Sequence, residues 1–317
     1  MNNVFLLSHN DMDGYGCVLS AKKAYPECRY MNVGYGDIVS TLHYMSAEVL
    51  DGSIDTVYIT DLNFDEICTI ELYKQVKHYP SVNFTYVDHH PFQSDKQFQI
   101  FEKLKEFPNF KMVHTEKRSA TYIFYKYLLS KELFQFDESY EKLMSSIDAY
   151  DTWKTDTVYF KPGLLLNDIF YNWPKSRFMN ELLTEMKITD NMKKEMKSFS
   201  ERKTALFKRL QDGGFIIPFG NVLMFLCDDF VSHMTIDYPG YKYYVNGRSY
   251  GGVSVRISQE IEDPKHIKDH INKALESNPY VASSGGHDHA FGITLQPEYK
   301  NKMLSVVETL VKELSKF

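Results

Sequence analysis

His9, Asp11 and Asp13 make an H-x-D-x-D set closed by Gly14, and a lone Asp61 and the run Asp88-His89-His90 follow it. Asp148 and Asp151 come later still. Carboxylate oxygens mixed with a few imidazole nitrogens suit Mn²⁺ or Mg²⁺, and so many shareable carboxylates suit two cations rather than one. Two such ions, about 3.5–4 Å apart, can polarise a phosphate and activate water. They need ligands from several chain segments and at least one carboxylate in common. His9, Asp11, Asp13, Asp61, Asp88, His89, His90, Asp148 and Asp151 supply that inventory. Alone, Asp13 or Asp61 would read as a helix cap, and His89-His90 as surface or core histidines. Their co-occurrence points to metal chemistry.

Strands must deliver these groups together. Apolar, β-rich runs at residues 4–8, 57–60 and 82–87 each end in acid or imidazole, where an open α/β sheet places its ligand crevice. Helical patterns at 15–24, 64–78 and 119–129 alternate with the strands, the sign of a parallel sheet, and 112–114 reads as a further short strand. Residues 139–149 form a helix carrying Asp148 towards its end. The aromatic- and proline-rich stretch 155–180 reads as a connecting segment. A long helix, capped by Thr189 or Asp190 and stopped by Gly213-Gly214, bears a solvated lysine- and arginine-rich face. Strand patterns at 215–218, 222–226 and 241–245 follow, with Asn246-Gly247 as a hairpin turn and 251–257 as its partner strand. Helices at 264–275 and 301–317 flank a last strand at 292–295. The expectation is an α/β protein, with a parallel-sheet domain over 1–180, a linker helix over 181–212 and a smaller α+β domain over 213–317.

Composition narrows the function classes. With 317 residues, 43% hydrophobic and 15% aromatic, the chain has material for about two cores. A net charge of −6 argues against charge-driven coating of nucleic acid. Cys17, Cys28, Cys68 and Cys227 stand far apart and read as reduced thiols, not a zinc site or disulfide frame. With no visible signal peptide or bilayer-length apolar run, the expectation is a cytoplasmic protein without membrane partners.

In order, His9-x-Asp11-x-Asp13-Gly14, Asp61, Asp88-His89-His90 and Asp148/Asp151 resemble the four motifs of the DHH phosphoesterases. This family includes the RecJ exonucleases, nanoRNase/pAp-phosphatase enzymes and cyclic-dinucleotide phosphodiesterases. Downstream, residues 254–258 and the run Gly285-Gly286-His287-Asp288-His289-Ala290-Phe291-Gly292 resemble the DHH-associated substrate-binding domain, so the likeness runs over essentially the whole chain. Where the family more often has a further glycine, this chain has Ser284.

The resemblance implies that His9, Asp11 and Asp61 hold one ion. Asp13, Asp61, His89 and an aspartate of the fourth motif hold the other, with Asp148 favoured over Asp151. Asp88 would orient a ligand imidazole. His90 would face the scissile phosphate and stabilise charge or protonate the leaving oxygen. Arg256 and His287, with the amides of Gly285 and Gly286, would grip a phosphate or terminal nucleotide. The implied activity is a phosphodiesterase or exonuclease with two divalent cations, Mn²⁺ foremost and Mg²⁺ second, acting on short single-stranded oligonucleotides or nucleotides. A homodimer is compatible with it. The rivals are a phosphomonoesterase of the pAp type, a cyclic-dinucleotide phosphodiesterase, and a silent nucleic-acid-binding scaffold. The scaffold is disfavoured because clustered carboxylates repel one another without cations.

Overall fold

The computed structural model describes residues 3–50, 52–229 and 233–317. The chain divides into two compact units, Met1–Lys197 and Ser198–Phe317. The first holds strands β1 (Val4–His9), β2 (Arg29–Val33), β3 (Thr56–Thr60), β4 (Asn83–Asp88) and β5 (Phe110–His114). Its helices are α1 (Met12–Ala24), α2 (Ile38–Leu50), α3 (Glu66–His78), α4 (Asp95–Leu104), α5 (Ala120–Ser130), α6 (Glu138–Asp151), α7 (Phe160–Asn172) and α8 (Lys175–Glu185). Helix α9 (Asp190–Asp212) contributes its residues up to Lys197.

The five strands form a sheet in the order β2-β1-β3-β4-β5, with every pairing parallel. Parallel strands need a crossover between them, and the helices supply it. On one face, Phe5, Leu7, Val57, Ile59, Phe84 and Tyr86 are buried with Leu42, Leu72 and Phe101 from the helices. This is the parallel α/β domain expected from the sequence.

The stretch 155–180 differs from expectation. It forms α7 and α8 rather than a connecting segment. Pro162 does not break α7, because it lies in the first turn, where its missing N–H has no intrahelical acceptor to lose. Gly163 lets α7 press on α6: an added Cβ would stand 2.0 Å from the Ser146 carbonyl oxygen.

The second unit adds β6 (Ile216–Phe219), β7 (Val222–Leu226), β8 (Tyr243–Gly247), β9 (Gly252–Ile257), β10 (Val281–His287) and β11 (Ala290–Leu295). Its helices are α10 (Met234–Asp237), α11 (Pro264–Leu275) and α12 (Met303–Leu314). The sheet order is β10-β11-β9-β8-β7-β6, antiparallel except between β7 and β8. Ile267, Ile271, Val307 and Leu310 bury against Val245, Val255 and Ile293. Phe207 and Leu210 of α9 pack with Leu223, Phe225 and Tyr244 in a second cluster, so the last turns of that helix cover the other face of the sheet.

Asn246-Gly247 is not the hairpin turn. It ends β8, and the chain turns at Arg248–Gly251, where Gly251 has φ +90°. Asn246 is fully buried, with its side chain bonded to both the N–H and the carbonyl of Cys227. Among the described residues, no helix is long and apolar enough to cross a membrane.

Candidate metal centre

In the order β2-β1-β3-β4-β5 the winding reverses between β1 and β3, and such sheets take ligands beyond the strand ends at that point. His9 closes β1 there, and Asp61 follows β3. The two strand ends are tied side by side, Thr60 Oγ1 donating to Ser8 Oγ at 2.7 Å. Asp61 has φ 56°, a left-handed conformation that aspartate tolerates better than most residues. Its N–H still bonds Val87 O at 3.0 Å, so the turn happens while the ladder to β4 continues.

Asp11 caps α1, accepting from the Gly14 N–H at 3.0 Å. Gly14 is required: a Cβ would lie 2.0 Å from the His9 carbonyl oxygen. Asp13, in the first turn of the helix, is buried and held from elsewhere. It accepts from the Ala120 and Thr121 N–H groups at 2.9 and 3.1 Å, at the start of α5. The N-terminal end of that helix thus favours a charged Asp13.

Among the described residues, three groups of side chains bring donor atoms within 4.8 Å of one another: His9, Asp11 and Asp61; Asp13, His89 and Asp151; and Asp61, Asp88, His89 and His90. Asp61 faces two ways. Its Oδ2 lies 3.9 Å from His9 Nδ1, and its Oδ1 lies 3.4 Å from His89 Nε2. His89 Nε2 is also 3.4 Å from Asp151 Oδ2 and 3.8 Å from Asp13 Oδ2.

The fourth motif resolves against the sequence preference: Asp151, not Asp148, joins the cluster. Asp148 is buried and engaged elsewhere, accepting from the Ser119 N–H at 2.7 Å, Arg118 at 2.8 Å and Lys154 at 2.9 Å. Both aspartates lie on α6, three residues apart, and the position of α5 decides between them.

Asp88 orients an imidazole, and that imidazole is His90. Asp88 Oδ1 lies 2.9 Å from His90 Nδ1. The Tyr86 hydroxyl, 2.6 Å from the Leu62 carbonyl and 2.9 Å from Asp88 Oδ2, shares its proton between them. His114 Nε2 lies 2.7 Å from the His90 carbonyl oxygen and fixes the backbone behind it.

The electrostatics are those of a site short of positive charge. Burial, then the fields of Asp11, Asp13 and Asp151, hold Asp61 well above the ordinary carboxylate range. Burial, then Asp13 and Asp11, do the same to Asp151. Burial and Asp11 push Asp13 up to about 6 against the pull of its backbone donors. Burial works to raise Asp11 and Asp88 too. Instead, His9 pulls Asp11 well below its usual value, and His90 holds Asp88 at about 2. Burial disfavours the His90 cation, yet Asp88 outweighs it and raises that histidine above 6.5. Asp61 Oδ2 and Asp151 Oδ2 are buried without a hydrogen-bond partner, while His9 Nδ1 lies 2.9 Å from Asp11 Oδ2. Buried polar atoms are normally satisfied, and the shared deficit here is one that divalent cations would remove. The donor set therefore fits a metal.

The second-unit candidates also come together. Arg256 pairs with Ala290, and Ala290 with His287, so the three share one row across β9, β11 and β10. The His287 side chain lies outside the described residues. Gly286 has φ +130°, and a Cβ there would stand 2.7 Å from the Ala290 carbonyl oxygen; Gly285 has open space. Lys268 donates to the Gly286 carbonyl and to Asp288.

Sequence reasoning passed over Tyr86 and the role of α5 in holding Asp13. It also passed over Tyr35, whose ring lies 4.6 Å from that of His9. The Ser119 cap was the available signal for α5; nothing local marks Tyr35.

No family model matches the chain. Over 188 residues it is 26% identical to oligoribonuclease NrnB of Bacillus subtilis, which covers 58% of this chain and 45% of that protein. The match thus spans less than half the length of that relative. Among solved structures, exonuclease RecJ bound to manganese aligns with a TM-score of 0.56 at 12% identity, covering 99% of this chain and 92% of that one. RecJ of Thermus thermophilus with Mn²⁺ also gives 0.56, at 11% identity over 99% of this chain and 52% of that one. The pGpG-specific phosphodiesterase PggH of Vibrio cholerae gives 0.54 at 14% identity, covering 98% and 99%. The sequence likeness to an oligoribonuclease, together with the fold shared with RecJ and PggH, supports a DHH-family phosphoesterase, the family its motifs resemble.

Proposed function

We propose that the chain is a divalent-metal-dependent phosphodiesterase that hydrolyses short single-stranded oligonucleotides from one end. The observation that carries this reading is Asp61, whose two oxygens face two donor groups on opposite sides. His9, Asp11 and Asp61 would hold one cation; Asp13, Asp61, His89 and Asp151 would hold the second. When bound, the cations supply polarisation of the phosphate and activation of water, with Mn²⁺ first and Mg²⁺ second in suitability. His90, fixed through Nδ1 by Asp88 and favoured as a cation, carries at Nε2 the proton that the leaving oxygen needs. Arg256 with the Gly285–Gly286 backbone would bind a phosphate or terminal nucleotide.

The names of the sequence relative and of PggH, an oligoribonuclease and a pGpG phosphodiesterase, favour short substrates. The test is a Mn²⁺ panel of labelled dinucleotide, longer single strands, 3′-phosphoadenosine 5′-phosphate, cyclic dinucleotide and pyrophosphate. The dinucleotide should be cleaved fastest, and His89→Ala should abolish turnover. Turnover retained in that variant, or inactivity across the panel with tight oligonucleotide binding, would refute the proposal.

A further inference from the structure

Asp148 is buried and carries more positive charge than it needs. One carboxylate receives the Ser119 N–H, the Arg118 guanidinium and the Lys154 ammonium. A single counter-ion would neutralise it, so two leave a surplus cation on a chain of net charge −6. Arg118 is 46% exposed and Lys154 29%. Arg118 is also held rigidly, its guanidinium lying 4.4 Å over the Tyr122 ring. Glu141, a further carboxylate beside Arg118, is engaged by Tyr122 at 2.7 Å and by Lys126 at 3.4 Å. Arg118 commits one bond to Asp148 from a fork of five N–H donors suited to phosphate oxygens.

The placement matters as much as the charge. Ser119 donates to Asp148, and the next residue, Ala120, donates to Asp13 of the metal cluster. Along α6, Asp148 and Asp151 are three residues apart, a rise of about 4.5 Å. Arg118 and Lys154 are therefore anchored on the carboxylate that neighbours the cluster's Asp151 along α6.

We propose that Arg118 and Lys154, anchored on buried Asp148, form a subsite for a second phosphate next to the scissile one. The proposal rests on the phosphodiesterase reading for its substrate. The second phosphate is either a terminal 5′-phosphate or one on the 3′ side, and the chemistry of recognition is the same for both.

The full-length protein, wild type and Arg118→Gln/Lys154→Gln, is assayed with Mn²⁺ on pApA, ApAp and ApA. Wild type should prefer one phosphorylated dinucleotide over ApA, and which one identifies the side. The double variant should cut that preference about ten-fold, chiefly through KM, as expected for a lost charge-assisted contact. A purely structural salt bridge would instead lower activity on all three substrates alike. That result, or a wild-type protein indifferent to the extra phosphate, would overturn the subsite. Should wild type cleave none of the three, the phosphodiesterase reading fails separately. Calorimetric binding of the same three ligands to both proteins then decides the subsite.

Discussion

Stripped of metal, the first unit should gain stability as pH falls from 8 to 5, the reverse of ordinary acid denaturation. Asp13 is held at about 6 against an ordinary 3.8. At about 1.4 kcal/mol per unit, that difference costs the folded state about 3 kcal/mol while the group is ionised. The penalty is complete above pH 6 and fades as pH drops through 6 towards 3.8. Asp61 and Asp151, raised further, add the same sign and extend the window upward. His90 works in the same direction, since a raised histidine stabilises below 6.5 and loses its contribution as pH climbs through its folded value. Asp11 and Asp88 oppose, but their depressed values confine the loss to below 3.8. By pH 5, about one unit below the folded value, roughly half of that penalty is relieved. At roughly 2–4 °C per kcal/mol for a domain of this size, the Asp13 share alone thus moves Tm by about 3–6 °C between pH 8 and 5. Thermal unfolding in EDTA at pH 8, 7, 6 and 5 measures it. Mn²⁺ should erase the trend, because cations bind deprotonated ligands and stabilise more at higher pH. At a hundred times its Kd, each ion adds about 2.7 kcal/mol. An EDTA profile that is flat or rises with pH would refute the account of the cluster, as would a Mn²⁺ shift that does not vary with pH.

Replacing Asp151 with Asn should raise the metal-free Tm at pH 8 by several degrees while abolishing Mn²⁺ stabilisation and turnover; lower metal-free stability would contradict the charge argument. Tyr86→Phe leaves Asp88 Oδ2 and the Leu62 carbonyl without their shared donor. It should cost about 1–3 kcal/mol in denaturant unfolding, and it should slow turnover with KM nearly unchanged; an unaffected kcat would remove Tyr86 from the positioning of His90. Gly163→Ala drives a methyl group into the Ser146 carbonyl and should lower Tm sharply. Circular dichroism melts on that variant test whether α6 and α7 need the close approach.

The sheet and the acid clusters were legible because both obey short-range rules. Strands β1 and β3 carry continuous apolar runs and β4 one interrupted by Thr85, as befits strands buried on both faces. What escaped depends on partners distant in sequence. The edge strand β2 is largely unburied, so it lacks an apolar signature. Helix α4 hides because Gln97 occupies a core position, its amide satisfied by the Phe64 carbonyl. Ser283-Ser284-Gly285-Gly286 reads as loop, yet pairing with β11 makes it strand. Asn246-Gly247 carries a turn signature, but burial of Asn246 against Cys227 uses the same amide for a different purpose.

The choice between Asp148 and Asp151 shows where local reading must stop. Both lie on α6, three residues apart on neighbouring parts of its surface, and the same motif offers both. Their fates diverge because α5 begins beside Asp148. Its Ser119 N–H and the adjoining Arg118 claim that carboxylate, while the next two amides claim Asp13. Asp151 has no such donors and turns an unsatisfied oxygen towards His89. A carboxylate already neutralised by two cations makes a poor metal ligand, and one buried without a hydrogen-bond donor is costly unless a cation arrives. Which aspartate faces the cluster is thus set by the donors each one lacks, a property that resides in the packing of α5 on α6.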